Sequence, residues 1–87
     1  MADDVPFLLE LVTPSGVEVS RQAVYVEAPG EDGRLGVLAG HQTGIIGLGA
    51  GQVTARFSGT NSLTWTTGPG VMTITPSAVS IIVQSAK

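Results

Sequence analysis

The sequence contains no cysteine, and positive charge is scarce. Without cysteine the chain has neither a disulfide framework nor a thiolate metal site. Lys and Arg together number 4, against 7 Asp and Glu, which gives a net charge of −3. Nucleic-acid-binding domains carry clustered cations that displace counterions from phosphates, so this balance argues against a nucleic-acid partner.

Long apolar runs are absent as well. No stretch of about 18 apolar residues occurs, so we expect no direct insertion into a membrane. The first residues, MADDVPF, are acidic and lack the basic and apolar regions of a secretory signal peptide. A chain of 87 residues buries only a modest core. We therefore expect a single domain over residues 1–87.

Period-two alternation is the dominant pattern of the sequence. Val53, Ala55 and Phe57 alternate with polar residues, which indicates a strand with one buried face. Turn-forming residues recur at intervals of about eight to twelve residues, a spacing typical of sandwiches and barrels. We predict an all-β sandwich of about eight to ten short, mostly antiparallel strands, and no helix. The predicted strands are Phe7–Thr13, Val17–Ser20, Ala23–Glu27, Gly36–Leu38, Gly44–Leu48, Gln52–Ser58, Ser62–Thr67, Val71–Thr75 and Ala78–Gln84.

Two features of these strands are predicted in more detail. The inward parity changes between Val19 and Val24, and a bulge near Arg21 and Gln22 would account for the change. Trp65 alternates with threonines, so we expect its side chain to point into the core.

Glycine-rich segments invite comparison with known motifs. The GLGAG of residues 47–51 looks like a phosphate loop, but the strand-like QVTARFS follows it where a helix and a lysine are needed. A turn is the favoured interpretation, and we predict no nucleotide site and no cofactor. The GxxxG spacing of residues 36, 40 and 44 lies in an apolar run that is too short for a membrane helix.

Three residues of the segment PGEDGRLGVLAGH are candidates for chemistry. His41 is the one histidine of the chain, and a metal site needs three or four ligands, so we expect no metal. No serine is marked out as the nucleophile of a triad, which favours a structural or interfacial histidine. Glu31 and Asp32 lie on a glycine-rich turn without the burial that separates two carboxyl pKa values. We expect a solvated loop tip or, alternatively, a charged docking contact.

Four segments follow one another from about Phe7 to Ala86: FLLELVTPSG, VEAPGEDGRLGVLAGH, TGIIGLGAGQV and TTGPGVMTITPSAVSIIVQSA. Their order resembles the ε subunit of rotary F-type ATP synthases, although no single segment is specific. The chain also departs from the family pattern. Arg34 stands where the family has a glutamate, Ala39 where it has a proline, and Pro69 where it has a glycine. Gln84 stands in place of an aspartate.

The resemblance implies a non-catalytic rotor subunit. Such a subunit is a β-sandwich of the central stalk that docks on γ and on the c-ring and acts on the αβ hexamer indirectly. It helps couple proton or sodium translocation to ATP synthesis, from a peripheral position at the cytoplasmic face of the bacterial plasma membrane. The family's C-terminal helical hairpin would begin where this sequence ends, so either the natural protein is a short form, which we favour, or this sequence is an excised domain.

The resemblance also places the glycine-rich loop against the c-ring. Its contact candidates are Glu31, Asp32, Arg34 and His41, with His41 at the γ-facing base, and its structural glycines are Gly33, Gly36 and Gly40. The alternative function is a stand-alone binding module, for example a carbohydrate-binding one, which would need exposed aromatic side chains. A small enzyme is disfavoured because the sequence offers no convergent set of polar residues.

Overall fold

The computed structural model describes residues 5–40, 43–57 and 61–87. Within these ranges the chain forms strands and no helix, which confirms the all-β prediction. The strands are β1 (Phe7–Thr13), β2 (Gly16–Gly30), β3 (Gly33–Val37), β4 (Gly44–Leu48), β5 (Gly51–Phe57), β6 (Ser62–Thr67), β7 (Gly70–Thr75) and β8 (Ala78–Val83). The described part of the chain accordingly offers no helix suited to crossing a membrane.

The long strand β2 joins two layers of sheet. Its first half pairs with β1, and its second half pairs with β3 and β5. We call one layer the first sheet; it contains β4, β7, β8, β1 and the first half of β2. We call the other layer the second sheet; it contains β3, the second half of β2, β5 and β6. Of the described pairings, β1 with β8 is the parallel one, so the strands are mostly antiparallel, as predicted.

Apolar side chains from both sheets meet in one core. Alternate positions are buried along β1 and β5, as the period-two pattern predicts. Burial of this apolar area contributes roughly 25 cal/mol per Å², the main favourable term in folding. The largest fully buried side chains include Phe57, Leu9, Leu11, Leu48, Met72, Ile74 and Ile81. The core lies between the sheets, and each sheet keeps an outer face.

Strand β2 differs from its prediction. The sequence predicts two strands with a bulge near Arg21 and Gln22, whereas β2 runs continuously through both. The irregularity comes later: Ala23 and Val24 are both buried, and the register with β5 shifts between Ala23 and Tyr25. At this point β2 passes from the first sheet to the second, so two consecutive side chains can both face the core.

Trp65 is less buried than the sequence predicts. It packs against the core but is only half-buried, and Leu63, two residues earlier on β6, is 46% exposed. Strand β6 is the last in the strand order, so its inner face is only partly covered. The predicted inward direction of Trp65 is confirmed, because it pairs with the buried Val53 and packs against the core, but the side chain is not fully buried there. Parity identifies the face of a strand but not whether another sheet covers that face.

Candidate functional site

The β2–β3 hairpin carries the acidic residues that the sequence singles out. Gly30 pairs with Gly33, so Glu31 and Asp32 form the turn, and both are exposed. Gly33 has a φ of 127°, a conformation that other residues rarely adopt. Strand β3 begins at Gly33, directly after the turn, and not at Gly36 as predicted.

The other two predicted structural glycines have different roles. At Gly36, a Cβ would collide with the hydroxyl of Tyr25, whose ring lies over this glycine. Gly40 has a φ of 79° and open space around it, so its backbone conformation alone favours glycine. His41, the fourth contact candidate, lies outside the described residues. Across the residues that are described, no group of three or more His, Cys, Asp and Glu could hold a metal ion.

The hairpin rests on the glycine-rich residues 47–51, which we call the β4–β5 connection and which include the end of β4 and the start of β5. The Glu31 N–H donates to the carbonyl of Gly47 at 3.1 Å. The Gly49 N–H donates to the carbonyl of Pro29 at 2.9 Å. The Pro29 ring lies over Gly51, where a Cβ would stand 3.0 Å from it. The GLGAG segment thus turns the chain from β4 into β5, as predicted, with residues 49 and 50 between the two strands, and its small residues let the hairpin approach closely.

Arg34 lies just after the turn, but its guanidinium points back across the sheet. It forms an ion pair with Glu27, with 3.0 Å between Arg34 Nη2 and Glu27 Oε1, and both side chains are about two-fifths exposed. Tyr25 donates a hydrogen bond to the other oxygen of Glu27 at 3.2 Å. Partial burial, followed by the charge of Glu27 and this hydrogen bond, raises the pKa of the Tyr25 phenol.

An apolar surface on the first sheet was missed in the sequence. Val71 pairs with Ile82, Ile82 with Val12, and Val12 with Val17, so four side chains form one row across β7, β8, β1 and β2. Ile82 is 47% exposed and Val17 is 61% exposed. We call these four residues the outer row. The signal that could have found it is the pair of adjacent apolar residues Ile81–Ile82, since one of two neighbours on a strand must face outward.

The acidic turn and the outer row belong to one surface. Gly47 pairs with Val71 at the β7 end of the row, and the Glu31 carboxylate lies over Gly47. A depression of about 410 Å³ beside the row is lined by residues that include Pro14 and Pro69. The surface thus combines an acidic end, an apolar length and a recess, a composition suited to contact with another protein.

Comparison with protein families gives a match over residues 6–87 to the family described as ATP synthase, Delta/Epsilon chain, beta-sandwich domain. The chain belongs to this family. The resemblance that the motif order suggests is thereby confirmed. The observed strands and two-layered core agree with the family's description as a beta-sandwich domain.

Curated ATP synthase epsilon chains are among the proteins to which this chain is similar. The epsilon chain of Desulforapulum autotrophicum is 32% identical over 87 residues, which is 100% of this chain and 63% of the relative. That of Rickettsia typhi is 32% identical over 80 residues, covering 90% of this chain and 73% of the relative. The chain thus spans somewhat less than two thirds of the length of the first of these relatives.

Solved structures of ATP synthases contain the same fold. A chain in the cryo-EM structure of Euglena gracilis mitochondrial ATP synthase superposes with a TM-score of 0.89 at 18% identity, covering 100% of this chain and 61% of that one. A chain in the central stalk and c-ring structure of Tetrahymena thermophila mitochondrial ATP synthase gives 0.82 at 14% identity, covering 99% and 69%. At these identities the likeness shows a shared fold and nothing more.

Proposed function

We propose that this chain is a non-catalytic rotor subunit in the central stalk of an F-type ATP synthase. It docks on γ and on the c-ring and helps couple proton or sodium translocation to ATP synthesis. The proposal rests on one observation. In a sandwich of the delta/epsilon family, an exposed acidic turn and the apolar outer row lie next to each other on the same surface. The complex holds the subunit at the cytoplasmic face of the bacterial plasma membrane, and the αβ hexamer responds to it indirectly.

The acidic turn is the part proposed to meet the c-ring. Glu31 and Asp32 are exposed, and hydrogen bonds to the β4–β5 connection fix the base of their hairpin. A turn held in this way loses little conformational freedom on docking, which favours affinity. Charges at the rim of such an interface act mainly on the encounter rate and its salt dependence.

The outer row is the part proposed to meet γ. Its four β-branched side chains are stiff, so they lose little rotamer freedom when a partner covers them. The neighbouring row on the same face includes Glu10 and Ser80, which hydrogen-bond to each other at 3.4 Å. An apolar centre with a polar margin is the usual composition of a stable protein–protein contact. Residues 1–87 act in this proposal as one docking domain.

The alternative of a stand-alone carbohydrate-binding module finds less support in the aromatic side chains. Phe7 and Phe57 are buried, Trp65 is half-buried, and the Tyr25 ring lies over Gly36. A stacking platform for sugars needs exposed aromatic faces side by side. We therefore favour the rotor subunit.

The test is reconstitution of epsilon-depleted ATP synthase in vesicles, with binding and proton pumping measured at two ionic strengths. Ile82→Asp should weaken binding at least tenfold, as loss of an apolar interface anchor does. Leu63→Asp is the matched control, because Leu63 is 46% exposed and Ile82 is 47% exposed, but Leu63 lies on the second sheet. Equal effects of the two variants would contradict the assignment of the outer row.

The acidic turn is tested in the same assay. The double variant Glu31→Gln with Asp32→Asn should weaken assembly about two- to fivefold at low salt and less at high salt. Glu18→Gln is the control, since Glu18 is also exposed but lies at the other end of β2. Normal assembly and pumping with the double variant at low salt would contradict a ring contact through these carboxylates.

A further inference from the structure

The guanidinium of Arg34 binds two strands besides its own. Its Nε and Nη2 donate to Oε1 of Glu27 at 3.2 and 3.0 Å, and its Nη1 donates to the carbonyl of Gln52 at 2.8 Å. Glu27 belongs to β2 and Gln52 to β5. One side chain on β3 therefore ties the hairpin to the neighbouring strand of the second sheet.

The acceptor of this ion pair is itself held in place. The Tyr25 hydroxyl donates to Oε2 of Glu27 at 3.2 Å, and the Tyr25 ring lies over Gly36. The Gly36 position leaves no room for a Cβ beneath the hydroxyl. The contacts thus run without a gap from the Gln52 carbonyl through Arg34 and Glu27 to Tyr25. A charged hydrogen bond to a fixed partner restricts a loop more than one to a free side chain.

We propose that Arg34 is a positioning residue: it holds the β2–β3 hairpin against β5 and so fixes the direction in which Glu31 and Asp32 are presented. The family resemblance implies Arg34 as a candidate for contact with the c-ring or γ; in this structure its donors are directed to Glu27 and Gln52. The positioning itself is a property of the isolated chain. Its consequence for docking rests on the proposed function.

The role requires a guanidinium rather than any cation. The fork of Arg34 reaches a carboxylate and a backbone carbonyl at once, whereas a lysine ammonium presents a single nitrogen. A glutamate, which the resemblance implies at this position in the family, would instead stand beside the Glu27 carboxylate and repel it. We therefore expect Arg34→Glu to loosen the hairpin of this chain, even though it adds an acid near the acidic turn.

Amide hydrogen exchange in the isolated chain tests the positioning role. The amides to follow are those of Glu31 and Gly49, because both bond the hairpin to the β4–β5 connection. Arg34→Gln, Arg34→Lys and Glu27→Gln should each speed their exchange about two- to fivefold. The charge exchange Glu27→Arg with Arg34→Glu should recover part of the protection.

Two controls isolate the effect. The Gly68 amide, which donates to the Ser85 carbonyl far along the chain from the hairpin, should keep its exchange rate in every variant. Arg21→Gln removes a guanidinium that stacks on Phe57 at 4.0 Å and should leave the Glu31 and Gly49 amides unchanged. Unchanged exchange of those two amides in both Arg34→Gln and Glu27→Gln would overturn the proposal.

Reconstitution with ATP synthase separates positioning from direct contact. If Arg34 positions the turn, Arg34→Lys and Glu27→Gln weaken docking as much as Arg34→Gln does. If Arg34 touches the ring, Arg34→Lys retains docking and the positioning role is overturned. If exchange rises but neither these variants nor Glu31→Gln with Asp32→Asn alters docking, positioning stands and the proposed ring contact fails.

Discussion

The carboxylate of Glu31 lies directly over Gly47, so that a Cβ on residue 47 would stand 2.5 Å from Glu31 Oε1. Gly47 has no left-handed φ, and its backbone would accept an L side chain without strain. The glycine is therefore needed for the position of a carboxylate rather than for the path of the chain. This contact connects the acidic turn of the hairpin to the outer face of the first sheet.

Replacement of this glycine gives the first prediction. Gly47→Ala should push the Glu31 carboxylate away from the outer row and change the free energy of unfolding by less than about 0.5 kcal/mol. The affinity of Gly47→Ala for epsilon-depleted ATP synthase at low salt should fall to that of the Glu31→Gln variant. Gly44→Ala is the control, because Gly44 lies on the same strand with no atom within 4 Å of its Cβ position. A large loss of stability in Gly47→Ala would contradict this account.

A second glycine is expected to matter for stability alone. At Gly70, a Cβ would collide with the carbonyl oxygen of Ile82 and stand 2.8 Å from the Cα of Val83. Both obstacles are backbone atoms of β8, which cannot rotate away as a side chain can. Gly70→Ala should therefore cost about 1–3 kcal/mol, as overpacking does. Urea denaturation of Gly70→Ala and of the control Gly44→Ala would measure the difference in stability. Equal denaturation midpoints of the two variants would contradict the prediction.

The burial of two aromatic residues predicts unequal costs of truncation. Phe57 is fully buried, so Phe57→Ala should cost about 3–5 kcal/mol of unfolding free energy. Trp65 is half-buried on an edge strand, and Trp65→Ala should cost roughly half as much, about 1.5–2.5 kcal/mol. Urea denaturation followed by circular dichroism measures both. If Trp65→Ala lost as much unfolding free energy as Phe57→Ala, the inner face of β6 would have to be fully covered, contrary to this prediction.

The sequence predicted the fold class because alternation survives wherever one face of a strand is buried. Val53, Ala55 and Phe57 are buried at every second position, as the pattern indicated. Alternation indicated a change of parity between Val19 and Val24, but it could not reveal that one continuous strand makes this change while it passes from one sheet to the other, because that depends on tertiary packing. It also left the outer row unseen, since an outward apolar residue beside an inward one merely weakens the pattern.

The turn of the candidate site could be predicted from the sequence, but the contacts of its side chains could not. Gly30 to Gly33 carry a recognisable turn signal, and the acids between them are exposed, as expected. The ion pair of Arg34 with Glu27 depends on the hairpin register, which sets a residue of β3 beside one of β2. The approach of Glu31 to Gly47 depends on how the hairpin lies on a distant connection. Neither contact leaves a local pattern in the sequence.

The last prediction concerns the pH dependence of the network around Tyr25. Tyr25 is the one tyrosine of the chain, so the near-ultraviolet absorbance of tyrosinate reports its titration alone. Burial and the Glu27 carboxylate raise the pKa of Tyr25, so the folded protein should keep this proton above the ordinary tyrosine pKa of about 10. A raised folded-state pKa favours the folded state below the unfolded pKa. That stabilisation is lost as the pH rises from about 10 through the folded value.

Two substitutions should move this titration in opposite directions. Glu27→Gln removes the negative charge and should lower the pKa of Tyr25 toward its ordinary value. Arg34→Gln removes a nearby cation that lowers the pKa, so the pKa of Tyr25 should rise further. Lys87→Gln is the control, because Lys87 is not among the groups that shift Tyr25. An unchanged Tyr25 pKa in Glu27→Gln would contradict the hydrogen bond between these two side chains, and with it the contact that holds the Arg34 partner in place.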